Sequence, residues 1–177
     1  VCDAVHGCGA GWLDRILDEN KVAVTRIRAE RDVLFEGTGP DPSEENLAVL
    51  KKAVAEKQAL AGLATDGDAD RFGVVDAACR AISPNLVIAL LVEYLVRRRG
   101  TAGGIGRTVA TTRLVDRVAR AADRELVETS VGFHNFGPLF LSGRIAVATE
   151  ESAGLGVASH LPDRDGIYAA LLMAELA

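Results

Sequence analysis

The chain has 177 residues, enough for one ordinary domain or two small ones with a core each, and too few for a large multidomain machine. Hydrophobic residues make up 49% and charged residues 25%, a globular balance that argues against intrinsic disorder. Lys and Arg number 20 against 25 Asp and Glu, a formal charge of −5, the wrong sign for a general grip on nucleic acid or an acidic membrane face. A phosphorylated ligand would have to be held by locally placed cations and amides. Cys2, Cys8 and Cys79 show no CxxC or metal-finger spacing, which argues against a disulfide scaffold and fits a reducing, cytoplasmic setting. The longest apolar run, Val87 to Val92, is far too short to span a bilayer, and the first residues lack a signal-peptide pattern. The expectation is a soluble protein with neither nucleic acid nor membrane as partner. The sequence opens on Val1 and stops inside the helix-like run Ile167 to Ala177, so both ends read as cut.

Val1 to Val5 reads as the tail of a buried strand, followed by the glycine-rich turn His6 to Gly11. Trp12, Leu13, Ile16 and Leu17 recur at helical spacing through Asn20, and Val22 to Ile27 has the β-branched density of a strand. Gly37 to Pro42 is a loop. Ser43 with Asn46 begins a second helix whose buried stripe is Leu47, Leu50, Val54 and Ala55, ending near Lys57. Ala59 to Thr65 and Gly73 to Asp76 read as strands on either side of an acidic loop.

A new unit starts at Ile82, where Ser83 suits a helix cap and Pro84 its first turn. Leu86 to Arg99 reads as a helix closed by Gly100, Arg107 to Thr111 as a strand, Leu114 to Ala122 as a helix and Glu125 to Glu128 as a strand. Phe136 to Leu141 reads as helical, Ile145 to Ala148 as a strand and Asp165 to Ala177 as a terminal helix. The pattern predicts an α/β fold of two consecutive three-layer domains with mixed sheets, 1–81 and 82–177, the first truncated at its N-terminus. Ligands are expected beyond strand ends.

The sharpest chemical signal is Asp66-Gly67-Asp68-Ala69-Asp70-Arg71. Alternating carboxylates on small spacers can converge on a hard cation such as Mg²⁺ or Ca²⁺, and their mutual repulsion favours one. A solvated acidic turn is the plain alternative, with Arg71 merely neutralising it. The spacing argues against an EF-hand, because Arg71 and Ala77 stand where its sixth-position Gly and twelfth-position Glu would fall. Glu150, Glu151 and Ser152 follow a strand and suit hydrogen bonds to sugar hydroxyls, although capping by Ser152 explains them equally. His134 reads either as a phosphate contact or as a loop histidine. Arg164 reads either as a phosphate ligand or as a surface partner of Asp163 or Asp165. No GxSxG setting and no GKS or GKT sequence is present.

Taken in order, these segments resemble the α-D-phosphohexomutase superfamily, which includes phosphoglucomutase, phosphomannomutase and phosphoglucosamine mutase. Asp3 to Gly7 resembles the opening of its second domain, and Pro40-Asp41-Pro42 with Asn46-Leu47 its proline-rich loop and helix. Leu63 to Arg71 resembles its metal loop, and Ile82 to Asn85 the start of its third domain. Glu128 to Phe133, Glu150 to Ser152 and Asp163 to Gly166 resemble its later landmarks. The VGF and EES segments favour the phosphoglucomutase and phosphomannomutase side.

The resemblance implies an isomerase of carbohydrate metabolism that interconverts hexose 1-phosphate and hexose 6-phosphate through a phosphoserine and a bisphosphate intermediate. It implies Mg²⁺ on Asp66, Asp68 and Asp70, catalytic roles for Arg71 and Arg164, and substrate contacts from His134, Glu150 and Ser152. Glucose 1,6-bisphosphate would activate the full-length parent. The family's serine loop and C-terminal phosphate loop are not found, and Ser159 is rejected as nucleophile, so domains 1 and 4 of the same polypeptide are expected partners and this piece alone is expected to be inactive. His134 replaces a usual Lys, exchanging an ammonium group for an imidazole, which bears on phosphate affinity at that position. Ala153 replaces a usual Gly, which is harmless where φ is negative. Two other readings are a non-catalytic metal or sugar-phosphate binding module and a Mg²⁺-dependent phosphatase with an Asp nucleophile in the acidic loop.

Overall fold

A computed structural model describes residues 1–177, which divide into two compact units, Val1–Ile82 with Gly166–Ala177, and Ser83–Asp165. Each unit is an α/β layer structure around a mixed five-stranded sheet.

The first unit contains β1 (Cys2–Asp3), α1 (Leu13–Glu19), β2 (Arg26–Ile27), α2 (Ala48–Lys57), β3 (Ala61–Thr65), β4 (Phe72–Asp76) and β5 (Ala81–Ile82). The sheet order is β2-β1-β3-β4-β5, with β1 parallel to β2 and β3, and the β3–β4 and β4–β5 pairs antiparallel. Side chains alternate across a strand. Gly62 and Ala64 turn to α2, where Val5, Leu47, Leu50, Val54 and Val75 complete a core. An added Cβ on Gly62 would come within 2.7 Å of Val54 Cγ2 and 2.8 Å of Leu50, so this glycine admits the helix. Leu63, on the opposite face, lines a cavity with Leu17 of α1 and Ala174.

The second unit contains α3 (Pro84–Arg97), β6 (Gly104–Thr108), α4 (Leu114–Ala121), β7 (Leu126–Thr129), α5 (Gly137–Leu141), β8 (Ile145–Thr149), β9 (Leu155–Val157) and β10 (Leu161–Arg164). Its order is β10-β9-β8-β6-β7, with β6 parallel to β7 and β8, and β8–β9 and β9–β10 antiparallel. Helix α3 packs on α4, which lies on β6 and β7, while a 3-10 turn, Phe133–Phe136, and α5 bring Phe133, Phe136 and Phe140 to Ile145 and Ala148.

Several boundaries differ from the sequence reading. The strand expected over Val22–Ile27 contracts to Arg26–Ile27, because its one neighbour, β1, offers only two residues for pairing. The strand expected from Arg107 begins at Gly104. A Cβ on Gly106 would lie 2.9 Å from the Phe136 ring, so this glycine within the strand serves packing. Ala55 is exposed instead of joining the α2 stripe. Strands β9 and β10 were not expected; their glycines and prolines conceal strand pattern in the sequence.

The compact units divide the chain differently from the expected domains 1–81 and 82–177. The terminal helix α6 (Gly166–Leu176), expected to belong with residues 82–177, packs on β3, β4 and α1 of the first unit. It is apolar nearly all round, with Ala169, Ala170, Leu172 and Met173 buried, as suits a helix that needs a sheet to cover it. Leu172→Ala should therefore destabilise the first unit by about 2–5 kcal/mol. In hydrogen exchange, amides of β3 and β4 should lose more protection than those of β6 and β8; the reverse order would return the helix to the second unit.

Candidate functional site

The acidic loop is the connection between antiparallel β3 and β4. Asp66 N donates to Arg71 O at 3.2 Å and Ala69 N to Asp66 O at 3.1 Å, which closes the loop on itself. Ala69 makes the reversal at φ +63°, a left-handed conformation that a small side chain tolerates best. Asp66 is fully buried; its Oδ1 accepts the Arg71 backbone N–H at 3.0 Å and its Oδ2 accepts Arg71 Nε–H at 2.7 Å. Burial pushes the Asp66 carboxyl above the usual carboxylate range, and the N–H bonds and charge of Arg71 only partly pull it back. For Arg71, burial works against the charge, but the carboxylates of Asp66 and Asp41 outweigh it and hold the guanidinium more firmly ionised than usual.

Asp68 is exposed and Asp70 half-buried, with Asp70 Oδ1 3.6 Å from Arg71 Nε. One carboxylate oxygen from each of Asp66, Asp68 and Asp70 lies within 4.8 Å of the others. The set is anionic, oxygen-only and incompletely neutralised by the neighbouring arginine, so its chemistry fits a hard divalent cation.

The loop is also held from outside. Gly67 N donates to Pro40 O at 3.1 Å, and Gly67 O accepts from Cys8 N at 2.9 Å. Arg71 Nη2 lies 2.6 Å from Asp41 Oδ1. The sequence reading places a loop over Gly37–Pro42, but gives Asp41 no contact with the acidic loop and gives Asn46 only the start of α2. The adjacent run of Pro and Asp was the available signal, and nothing local says which acidic loop it would meet.

In the second unit, Glu150 to Gly154 joins β8 to β9. Glu150 N donates to Gly154 O at 3.0 Å and Ala153 N to Glu150 O at 3.2 Å. Glu150 is buried, and its Oε1 accepts from Ser152 Oγ at 2.9 Å and Arg164 Nη1 at 2.7 Å. The Arg164 guanidinium carbon stands 5.8 Å from the centroid of the Phe133 ring, a cation–π placement. Arg164 thus pairs with Glu150, while Asp165 is engaged by His160 at 2.7 Å. Ser152 caps no helix, because the chain enters β9 directly. Ala153 takes φ +71°, against the condition of a negative φ, so its side chain carries backbone strain of roughly 1–2 kcal/mol. Glu151 Oε2 accepts from Thr108 Oγ1 at 2.8 Å. His134 lies exposed in the 3-10 turn, outside the bonded cluster of Glu150, Ser152 and Arg164.

Two mixed-sheet units, each with a buried acid just past the end of a strand, define an α/β protein whose polar loops gather at strand ends. The phosphoglucomutase/phosphomannomutase α/β/α domain II description matches residues 1–79, and the domain III description residues 83–177. The chain belongs to the phosphoglucomutase/phosphomannomutase family. It is 30% identical to the phosphoglucomutase/phosphomannomutase of Thermococcus kodakarensis, over 99% of this chain and 38% of that protein. A structure from Thermus thermophilus, assigned as a phosphomannomutase, superposes with a TM-score of 0.91 at 36% identity, over 98% of this chain and 40% of that one. Aspergillus fumigatus N-acetylphosphoglucosamine mutase, solved with GlcNAc-6P and magnesium, shares the fold at 13% identity, over 98% of this chain and 45% of that one, with a TM-score of 0.65. The chain spans well under half the length of the curated relatives it matches, from 24% of one to 38% of another. Although the domain III description runs to residue 177, the contacts of α6 are with the first sheet.

Gly67 is where crowding is most easily tested. A Cβ there would lie 2.8 Å from Pro40 Cβ and 3.3 Å from the Phe35 ring. Gly67→Ala should cost about 1–3 kcal/mol by overpacking, measured by urea denaturation; a neutral result would show that the Pro40 segment yields freely.

Proposed function

We propose that the chain supplies the cation-binding and sugar-recognition loops of a phosphohexomutase that interconverts hexose 1-phosphate and hexose 6-phosphate. The phosphoryl donor is a phosphoserine, the transfer passes through a hexose bisphosphate, and the serine and a further phosphate-binding loop belong to other domains of the same polypeptide. Glucose 1,6-bisphosphate is the activator of that parent enzyme. The observation that carries this reading is the convergence of Asp66, Asp68 and Asp70 oxygens within 4.8 Å beside Arg71, in a chain of this family.

Asp66, Asp68 and Asp70 would hold Mg²⁺, which when bound supplies positive charge to the oxygens of the transferring phosphoryl group. Asp66 contributes a buried carboxylate that also fixes Arg71 through two N–H bonds. Arg71, so oriented, presents fixed positive charge to phosphoryl oxygens. Glu150 accepts hydrogen bonds from sugar hydroxyls, and Ser152, bonded to it, donates or accepts beside it. Arg164, held by Glu150 and the Phe133 ring, offers a guanidinium to phosphate. His134 contributes an imidazole at the position of the usual lysine, offering a ring N–H to phosphate.

Asp68 is the cleanest residue to change because it is exposed. Asp68→Asn should weaken Mg²⁺ binding about tenfold or more, since ligand charge tunes such sites, with the melting temperature little altered. Titration calorimetry showing unchanged affinity would remove this residue from the site. The isolated chain, given glucose 1-phosphate, Mg²⁺ and glucose 1,6-bisphosphate, should give no mutase flux in a coupled assay; steady turnover would mean that the nucleophile lies within these residues.

A further inference from the structure

We propose that Asn46 is a positioning residue for the acidic loop, an inference that rests on reading that loop as the cation site. Asn46 precedes α2 and is 5% exposed. Its Nδ2 donates to the carbonyl oxygens of Asp41 at 2.7 Å, Thr38 at 3.2 Å and Gly39 at 3.3 Å. A carboxamide nitrogen carries two hydrogens, so three acceptors share them. Only the nitrogen end can face three carbonyls, which dictates the orientation of the amide.

The segment held in this way is short and glycine-rich: Thr38 closes it on Phe35 O through its N–H at 3.0 Å and its hydroxyl at 2.8 Å, and Gly37 and Gly39 turn through φ +75° and +90°. It is nevertheless the segment that grips the acidic loop. Pro40 O accepts the Gly67 N–H, and Asp41 Oδ1 holds Arg71 Nη2. Asn46 is anchored in turn, since its carbonyl accepts from Arg28 Nη2 at 2.9 Å and its N–H donates to Ser43 Oγ at 3.3 Å. Arg28 forks onto the buried Asp3 at 2.9 and 2.5 Å. A continuous set of polar contacts therefore runs from the end of β1, through the buried Asn46, to two of the three points at which the acidic loop is held from outside, the third being Cys8 N on Gly67 O. Without the Asn46 donors, three carbonyls lose their partner, the Pro40 segment loosens, and Gly67 and Arg71 lose their fixed places beside the converging carboxylates.

The test uses the ¹⁵N-labelled chain with Asn46→Asp, which keeps the shape and replaces the donor by an acceptor facing three carbonyls, and Val54→Ala as a control that thins the α2 core without touching residues 38–41. In Asn46→Asp the Gly67 amide should exchange at least about tenfold faster relative to the amides of β3 and β4, and affinity for Mn²⁺ should fall about tenfold. In Val54→Ala the Gly67 and sheet amides should speed up in proportion. Gly67 exchange that merely follows the sheet in Asn46→Asp would overturn the proposal. If that variant does not fold, the unaltered chain decides: the Asn46 side-chain NH₂ should be protected from exchange, and an NH₂ exchanging at the solvent rate defeats the assignment. Failure of the unaltered chain to bind Mn²⁺ overturns the cation-site reading, whereas the exchange ratio alone decides whether Asn46 positions the loop.

Discussion

A carboxylate withdrawn from water has to find replacements for its hydration, and the first unit withdraws Asp66 completely. The surrounding architecture meets that demand in two ways. Arg71, just before β4, gives Asp66 both a backbone and a guanidinium N–H, and Asp41 braces the same guanidinium at Nη2. The remaining deficit is electrical: the burial of Asp66 still raises its carboxyl, and Asp68 adds to that push. A loop organised in this manner is poised to gain from positive charge, which is the physical meaning of three converging acidic oxygens.

The second unit repeats the device with different residues. In each sheet a strand with a parallel neighbour on one side, β3 or β8, turns back into an antiparallel one, β4 or β9. In each, the first residue beyond the strand is a buried acid, Asp66 or Glu150, paired with an arginine, Arg71 or Arg164. Three residues later an alanine with positive φ, Ala69 or Ala153, returns its N–H to the acid's own carbonyl. The resemblance of the two turns explains why an alanine serves at position 153: the hydrogen-bonded reversal demands the left-handed conformation, and the bonds around it offset the strain. The outcomes then diverge with chemistry. One turn carries two further aspartates beside its acid, and the other carries a serine hydroxyl bonded to its glutamate.

Membership of the phosphoglucomutase/phosphomannomutase family follows from matches to both domain descriptions and agrees with the superposition over 98% of the chain. The family division and the compact units differ in one respect. Helix α6 follows the second unit in the chain and serves the first in space, so the two units are joined by a covalent crossing at Asp165 as well as at Ile82.

The linear chain determined what depends on neighbours in sequence. Asp66 to Arg71 could be recognised because alternation of acids with small residues is itself the geometry of convergence. The spans of α2, α3 and α4 were legible because a helix advertises its buried face at fixed spacing. Glu150 and Ser152 were legible as candidates, yet their bond to each other and to Arg164 was not, because a pair separated by 14 residues is made by the placing of β8 and β10. Only the tertiary structure decided that Gly106 packs against Phe136, that β9 and β10 form at all, that α6 covers the first sheet and that Asn46 reaches the carbonyls beside Pro40. Those outcomes depend on which surfaces are left uncovered once the sheets have formed, and a polar or apolar side chain carries no local mark of the distant group that will cover it.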